Sequence, residues 1–241
     1  MAVQPSSPEA RCVRTQSCVL RATDWEWPLA EAHAADIEAD WQRRHAQIPT
    51  MFNGVTYLTR SHNFDAAAFG ATLFKSDFRT LLYWRARPDA AREPVRETFA
   101  SSLIRSAEGY LLMGQQGPGQ LNSGRIYPPG GLIDGDDVRG GAIDIDASIA
   151  RELSEETGLS AAELERVPGY LLVFTGLKIA IAIEWRSALP AAALRERILG
   201  FVRSQPEPEL ADIVTVASHA DVDEERMPPH ARTLARTVLS A

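Results

Sequence analysis

Apolar positions recur along the chain in short alternating runs broken by turn residues, with stretches at helical spacing between them. Residues 18–22 alternate as a short strand. From Leu29 to about Gln47, Ile37 and Trp41 mark one apolar face of a helix whose other positions include Glu31, Asp36, Glu38 and Asp40. After an Asn53-Gly54 turn, residues 55–59 and 66–73 read as two antiparallel strands, and Ser76 caps a helix over 77–86 bearing Phe78, Leu81, Leu82 and Trp84. A polar stretch holding Pro88 and Pro94 interrupts the pattern. A hairpin over 99–104 and 110–113, turning at Glu108-Gly109, resumes it. Further on come strands at 170–174, 179–183 and 213–216, and helices near 190–204 and 229–239. These elements belong to an α/β (α+β) chain, and by themselves they select no particular fold.

One stretch carries more than packing information. Residues 146–158, DASIARELSEETG, predict a helix with Asp146 as N-cap and Gly158 as the stop. Ile149 and Leu153, four apart, anchor it on a core. Glu152, Glu155 and Glu156 stand at i, i+3 and i+4, within an arc of about 100°. Three crowded carboxylates repel, and an oxygen-only donor set suits hard divalent ions such as Mg²⁺ or Mn²⁺. Arg151 precedes Glu155 by four residues and can hold that carboxylate in an ion pair. A solvated charged helix face is the plainer alternative. Upstream, Pro128-Pro129 stiffens the approach, and Gly130-Gly131 lets backbone come close to another chain or to a phosphate.

Together these residues resemble the Nudix box of the Nudix hydrolases: G, five residues, E, seven residues, then R-E-U-x-E-E-x-G-U, with U aliphatic. The segment from Arg151 to Leu159, RELSEETGL, matches the second half at every position. The first half departs from it. Twenty positions separate Gly131 from Arg151 where the family has fourteen, so six residues are inserted and the upstream glutamate has no glutamate counterpart. Counting forward from Gly131 reaches Asp137, near Asp134 and Asp136; counting back from Arg151 reaches Ile143. The lengthened loop is similar to that of subfamilies acting on coenzyme A or UDP-sugars.

The resemblance implies a Nudix-type α/β/α sandwich with a mixed β-sheet and an N-terminal extension. It implies metal-dependent hydrolysis of the diphosphate linkage in a nucleoside diphosphate linked to another moiety. Glu152, Glu155 and Arg151 would be catalytic; Glu152, Glu155, Glu156 and the backbone of Gly131 would hold Mg²⁺ or Mn²⁺; Arg125 and Gly130 would meet substrate. Asp137 and Glu209 are the auxiliary acids considered, with Glu207 beside the latter. His219 and His230 are candidate bases, but neither has a visible partner and exposed loop histidines are commoner. Two alternatives stay open: a CoA or acyl-CoA diphosphatase, and a non-catalytic nucleotide sensor on a Nudix fold.

Composition narrows the partners. A net charge of −7 in 241 residues argues against a general binder of nucleic acid or anionic membranes. No apolar run approaches a membrane span and the start lacks a signal-peptide core, so a cytoplasmic protein with two reduced cysteines, Cys12 and Cys18, is expected. A small-molecule diphosphate is the expected partner, with a homodimer as an assembly the chain allows. The organisation expected is a flexible leader over 1–16, an accessory region over 17–94 packed on the core, and a hydrolase domain over 95–241.

Overall fold

The computed structural model describes residues 10–65 and 67–240. Strands β1 (Arg11–Thr15) and β2 (Ser17–Thr23) precede helices α1 (Pro28–Ala32) and α2 (Ala34–Gln47). Next come β3 (Val55–Asp65), β4 (Ala68–Asp77), α3 (Phe78–Ala86), β5 (Arg96–Arg105), β6 (Leu111–Gln116) and the short β7 (Ile126–Tyr127). A small hairpin, β8 (Val138–Arg139) and β9 (Ala142–Ile143), leads into α4 (Ile145–Thr157). The chain continues with β10 (Glu165–Arg166), β11 (Tyr170–Thr175), β12 (Lys178–Arg186), α5 (Ala191–Ser204), β13 (Leu210–Val216) and α6 (Pro229–Leu239).

All these strands join one mixed sheet. Its middle is the parallel pair β5–β12, in register from Glu97↔Lys178 to Arg105↔Arg186. β12 is buried through most of its length, as its near-continuous apolar sequence requires of a strand covered on both faces. Its alternation divides the core. Ile179, Ile181 and Ile183 join Ile149 and Leu153 of α4 and Leu194 and Ile198 of α5. Ala180 and Ala182 face the opposite cluster with Ala231, Leu234, Ala235 and Val238 of α6. Helices therefore cover both faces of a mixed sheet, the expected α/β/α layering.

The sheet runs β1–β11–β12–β5–β3–β4–β2–β9–β8, and β1 and β2, six places apart along it, are joined by one residue, Gln16. β1 lies antiparallel on β11 and β2 parallel on β4, so a single bent segment links two distant parts of the sheet. Leu20, Phe69, Ala71 and Leu73 share the apolar cluster of Ile149 and Leu153, so strands on both sides of residue 94 build one sheet and one core. Of the expected leader, residues 1–9 lie outside the described residues. Arg11–Thr15 are a strand, because Cys12 packs on the α6-side cluster and β11 receives the backbone.

Local differences have local causes. The first helical stretch breaks at His33 (φ −120°), whose ring meets Asp36 and the Tyr83 hydroxyl. Asp40, placed by pattern on the polar face, is buried and held by Arg43 and Arg44. Helix α3 is capped by Asp77, which accepts from Thr80 N, rather than by Ser76. Among the described residues no helix is long and apolar enough to cross a membrane. Cys12 and Cys18 are free.

Candidate active site

Helix α4 presents the site. Its N-cap is Asp144, which accepts from Ala147 N at 3.0 Å, two residues ahead of the expected cap; Asp146 instead takes Arg166 and the Tyr170 hydroxyl. At the other end Gly158 is left-handed (φ 67°), and a Cβ there would strike the Phe201 ring at 2.4 Å. Only glycine meets both demands. Ile149 and Leu153 are fully buried, worth about 1.5–3 kcal/mol each, which fixes which side of the helix faces out.

Around the edge of that apolar face stand Glu152, Glu155 and Glu156 in three environments: half-buried, exposed and buried respectively. Opposite them the glycine pair lies against β5, where Ser102 N donates to Pro129 O (2.7 Å) and Ala100 N to Gly131 O (2.9 Å). A Cβ at Gly130 would fall 2.1 Å from Ala100 O, so this contact admits glycine alone. Gly130 N donates to Glu156 Oε1 at 2.7 Å, while Glu156 Oε2 is buried with no partner among the described residues. Glu152 rests on Gly131, where a Cβ would come 2.5 Å from Oε1.

Burial drives the electrostatics. It lifts Glu152 to about 7; Arg151 opposes the rise, while Glu155 and Glu209 add to it. Glu156 is raised well above the usual carboxylate range by burial, against the Gly130 hydrogen bond and with help from Glu152, Glu209 and Glu155. Glu209, on the strand-entry loop before β13, is itself raised by packing around its carboxyl and by Glu155. Glu207 is exposed beside it.

Arg151 is the counter-charge. It reaches Glu152 Oε1 at 2.9 Å, Glu155 Oε2 at 3.2 Å, Asp134 Oδ2 at 3.2 Å and Asp137 Oδ1 at 3.3 Å. Burial works against its charge, but Glu152, Asp137 and Asp134 outweigh that and hold its pKa above the ordinary value. Asp137 is 3% exposed and also accepts from Ser148 Oγ (2.9 Å) and Asp134 N (3.1 Å). It therefore supports Arg151 from behind. The lengthened loop forms the β8–β9 hairpin, turned at Gly140 and Gly141, and docks on β2 through Leu20↔Ile143.

A cleft of about 400 Å³ opens on the other side of the glycine pair. Arg125 is at its edge, with Nη1 donating to Glu225 O. Pattern reading missed Glu97, Phe99, Tyr127 and Lys178, which also line it, because only the pairing of distant strands brings them together. His230 lines it too. This histidine is buried in the first turn of α6 and is not a loop residue, whereas His219 is exposed.

The donor set suits a hard divalent cation: oxygens only, one buried oxygen without a partner, and a surplus of mutually repelling carboxylates. As the side chains stand, with Arg151 drawing Glu152 and Glu155 to itself, no three His, Cys, Asp or Glu groups among the described residues converge as a ligand set.

No family model matches the chain, and no curated protein matches it. Solved structures do. A Nudix hydrolase of M. smegmatis, RenU, is 18% identical over 59% of this chain and 83% of its own, with a TM-score of 0.39. The MutT protein of Methanosarcina mazei is 20% identical over 59% and 92%, with a TM-score of 0.40. NrtR of Shewanella oneidensis, solved with a 27mer DNA, is 15% identical over 58% and 59%, with a TM-score of 0.39. Likenesses of this size leave function to be read from the side chains.

Proposed function

We propose that this chain is a Nudix-type pyrophosphohydrolase that cleaves the diphosphate linkage of a nucleoside diphosphate joined to another moiety, using Mg²⁺ or Mn²⁺. One observation carries the reading: a partnerless buried oxygen of Glu156 and the carboxylate of Glu152 flank two glycines whose other side lines an open cleft. A substrate seated in the cleft lays its diphosphate along that glycine backbone.

The chain's own groups divide the work. Glu152, Glu155 and Glu156 would hold the cation, with the backbone of Gly131 beside them; when bound, it neutralises phosphate charge and acidifies water. Gly130 N orients Glu156. Arg151 orients Glu152 and Glu155, and Asp137 steadies Arg151, which makes Asp137 a positioning residue. Glu152 accepts the proton of the water that attacks phosphorus. Arg125 meets the phosphate at the cleft edge, and Glu209 at the rim is the auxiliary acid. In this reading residues 95–241 supply the chemistry and 17–94 complete the sheet around it. The partner is a small diphosphate rather than nucleic acid, consistent with the net charge of −7, and the free cysteines accord with the cytoplasm.

The test is product analysis with UDP-glucose, ADP-ribose, NADH, diadenosine polyphosphates, CoA and dNTPs, with Mg²⁺ or Mn²⁺ and Glu155→Gln as control. Metal-dependent cleavage at the diphosphate, absent in the variant, is expected. Cleavage of CoA alone would select that alternative. Thermal stabilisation by a nucleotide without turnover would replace the enzyme by a sensor.

A further inference from the structure

Strand β3 carries an edge that the sheet leaves open. β5 begins at Arg96 and pairs with β3 only at Leu58↔Glu97 and Thr59↔Arg96. From Arg60 to Asp65 the strand is bonded to β4 on one side and, among the described residues, to no strand on the other. All six of these residues are exposed. A row of open N–H and C=O groups is a template for one more strand, and proteins commonly guard such an edge with charge, a proline or a bulge. The ladder shifts register between Thr59 and Ser61, but from there to Asp65 the pairing with β4 is regular and holds no proline.

The charges nearby lie on rings and on their own backbone rather than across the edge. Arg60 sits over Trp25, 4.6 Å from the ring centroid, and Arg11 over Phe174 at 5.6 Å and Phe64 at 6.0 Å. Arg96 Nη1 donates to Val95 O (2.7 Å) and Glu93 O (3.0 Å), while the Glu93 carboxylate is turned away to Trp27 Nε1 at 2.7 Å. Among the described residues none of these three guanidiniums has a carboxylate partner, although the chain carries a net charge of −7. They share one neighbourhood. His62, two residues after Arg60, is held below its ordinary pKa by burial first and then by Arg96 and Arg11. Asp65 is the one acid on this stretch, and strand alternation sets it on the other face with Ser61 and Asn63.

We infer that this edge is an interaction surface for an acidic segment of another protein, added as an extended strand beside Arg60–Asp65. Its carboxylates meet Arg11, Arg60 and Arg96, and its apolar side chains pack on Phe64, which is 39% exposed, and on Phe174 beside it. Backbone hydrogen bonds supply the affinity and alternate side chains the choice. A two-fold pairing with a second copy would bring the arginines of one edge against those of the other, so like charge opposes that occupant. A nucleic-acid strand could meet the arginines but would leave the open backbone groups unpaired. The surface stands apart from the diphosphate site and does not rest on it.

Fluorescence anisotropy of the full chain with a short labelled peptide alternating glutamate and valine tests this. The peptide should bind about tenfold or more tightly than one alternating lysine and valine. N-methylation along its backbone should cost about tenfold or more, and raising the salt should weaken it. The double variant Arg11→Glu, Arg60→Glu should reverse the preference between the two peptides. If that chain fails to fold, Arg60→Gln alone should lower the affinity for the acidic peptide and reduce its salt dependence. Hydrogen exchange should slow within Ser61–Asp65 when the acidic peptide is present. Absence of binding, equal binding of the two peptides, or an N-methylated peptide that binds as well would overturn the inference. So would tighter binding of an oligothymidylate, or sedimentation as a dimer whose Ser61–Asp65 amides are already protected.

Discussion

Replacing Gly131 by alanine isolates the carboxylate geometry from the fold. The added Cβ would lie 2.5 Å from Glu152 Oε1, 2.6 Å from Cδ and 2.7 Å from Oε2, so the whole carboxylate must leave. Restoring ordinary contact at 3.4 Å moves it by about 0.9 Å. The obstacle is the far end of a flexible side chain, and Gly131 has no left-handed φ to forbid alanine. Stability should therefore change by less than about 1 kcal/mol, a shift of roughly 2–4 °C or less in Tm. Activity should not be spared. A misplacement near 1 Å in a reacting constellation lowers the rate by about 100-fold, or ~2.7 kcal/mol of barrier. The control is Gly130→Ala, whose Cβ would meet the Ala100 carbonyl at 2.1 Å, a backbone atom that cannot turn aside, and which should lower Tm sharply. Steady-state hydrolysis beside thermal melts reads both. A Gly131→Ala enzyme with kcat within twofold of wild type would refute the placement of Glu152 in the chemistry.

Other outcomes follow from the same residues. Glu152 titrates near 7 in the folded chain but in the ordinary carboxylate range when unfolded; the folded state thus binds the extra proton between these values, and stability falls as pH rises from about 4.5 to 7, by ~3 kcal/mol. Melts of the metal-free protein against pH should show that decline, and Glu152→Gln should lessen it, the remainder coming from Glu156 and Glu209, whose carboxyls are also raised. Asp137→Asn weakens the hold on Arg151 and should reduce kcat about tenfold with KM little changed, while adding Mg²⁺ should not rescue it. Mg²⁺ or Mn²⁺ should raise Tm in the wild type and raise it less in Glu156→Gln, with chelator reversing the gain; equal gains in both would remove Glu156 from the ligand set.

Much of the site was legible because its spacing is helical and local. REL-x-EE places three carboxylates and an arginine by the rise and turn of one helix, and Gly158 marks its end by a backbone need that no other residue meets. What stayed hidden depends on distant pairing. Asp137 could be counted to, yet its bonds to Ser148 and Arg151 depend on how the lengthened loop folds back as a hairpin on β2. His230 looked like a loop histidine because its neighbours Phe99 and Tyr127 lie over a hundred residues away in sequence. The strand at Arg11–Thr15 was concealed for the same reason: five polar and small residues gain their order from β11.

That strand sets a timetable for folding. The segment through Gln16 is made well before the edge it must join, Tyr170–Thr175. β2 can pair with β4 early, so the first strand waits with open backbone groups until β11 arrives, and the sheet closes by a contact of very long sequence separation. Deleting residues up to Gln16 should then leave a chain that builds β2–β4 at its usual pace but keeps β11 as a bare edge, prone to recruit the same strand from another copy.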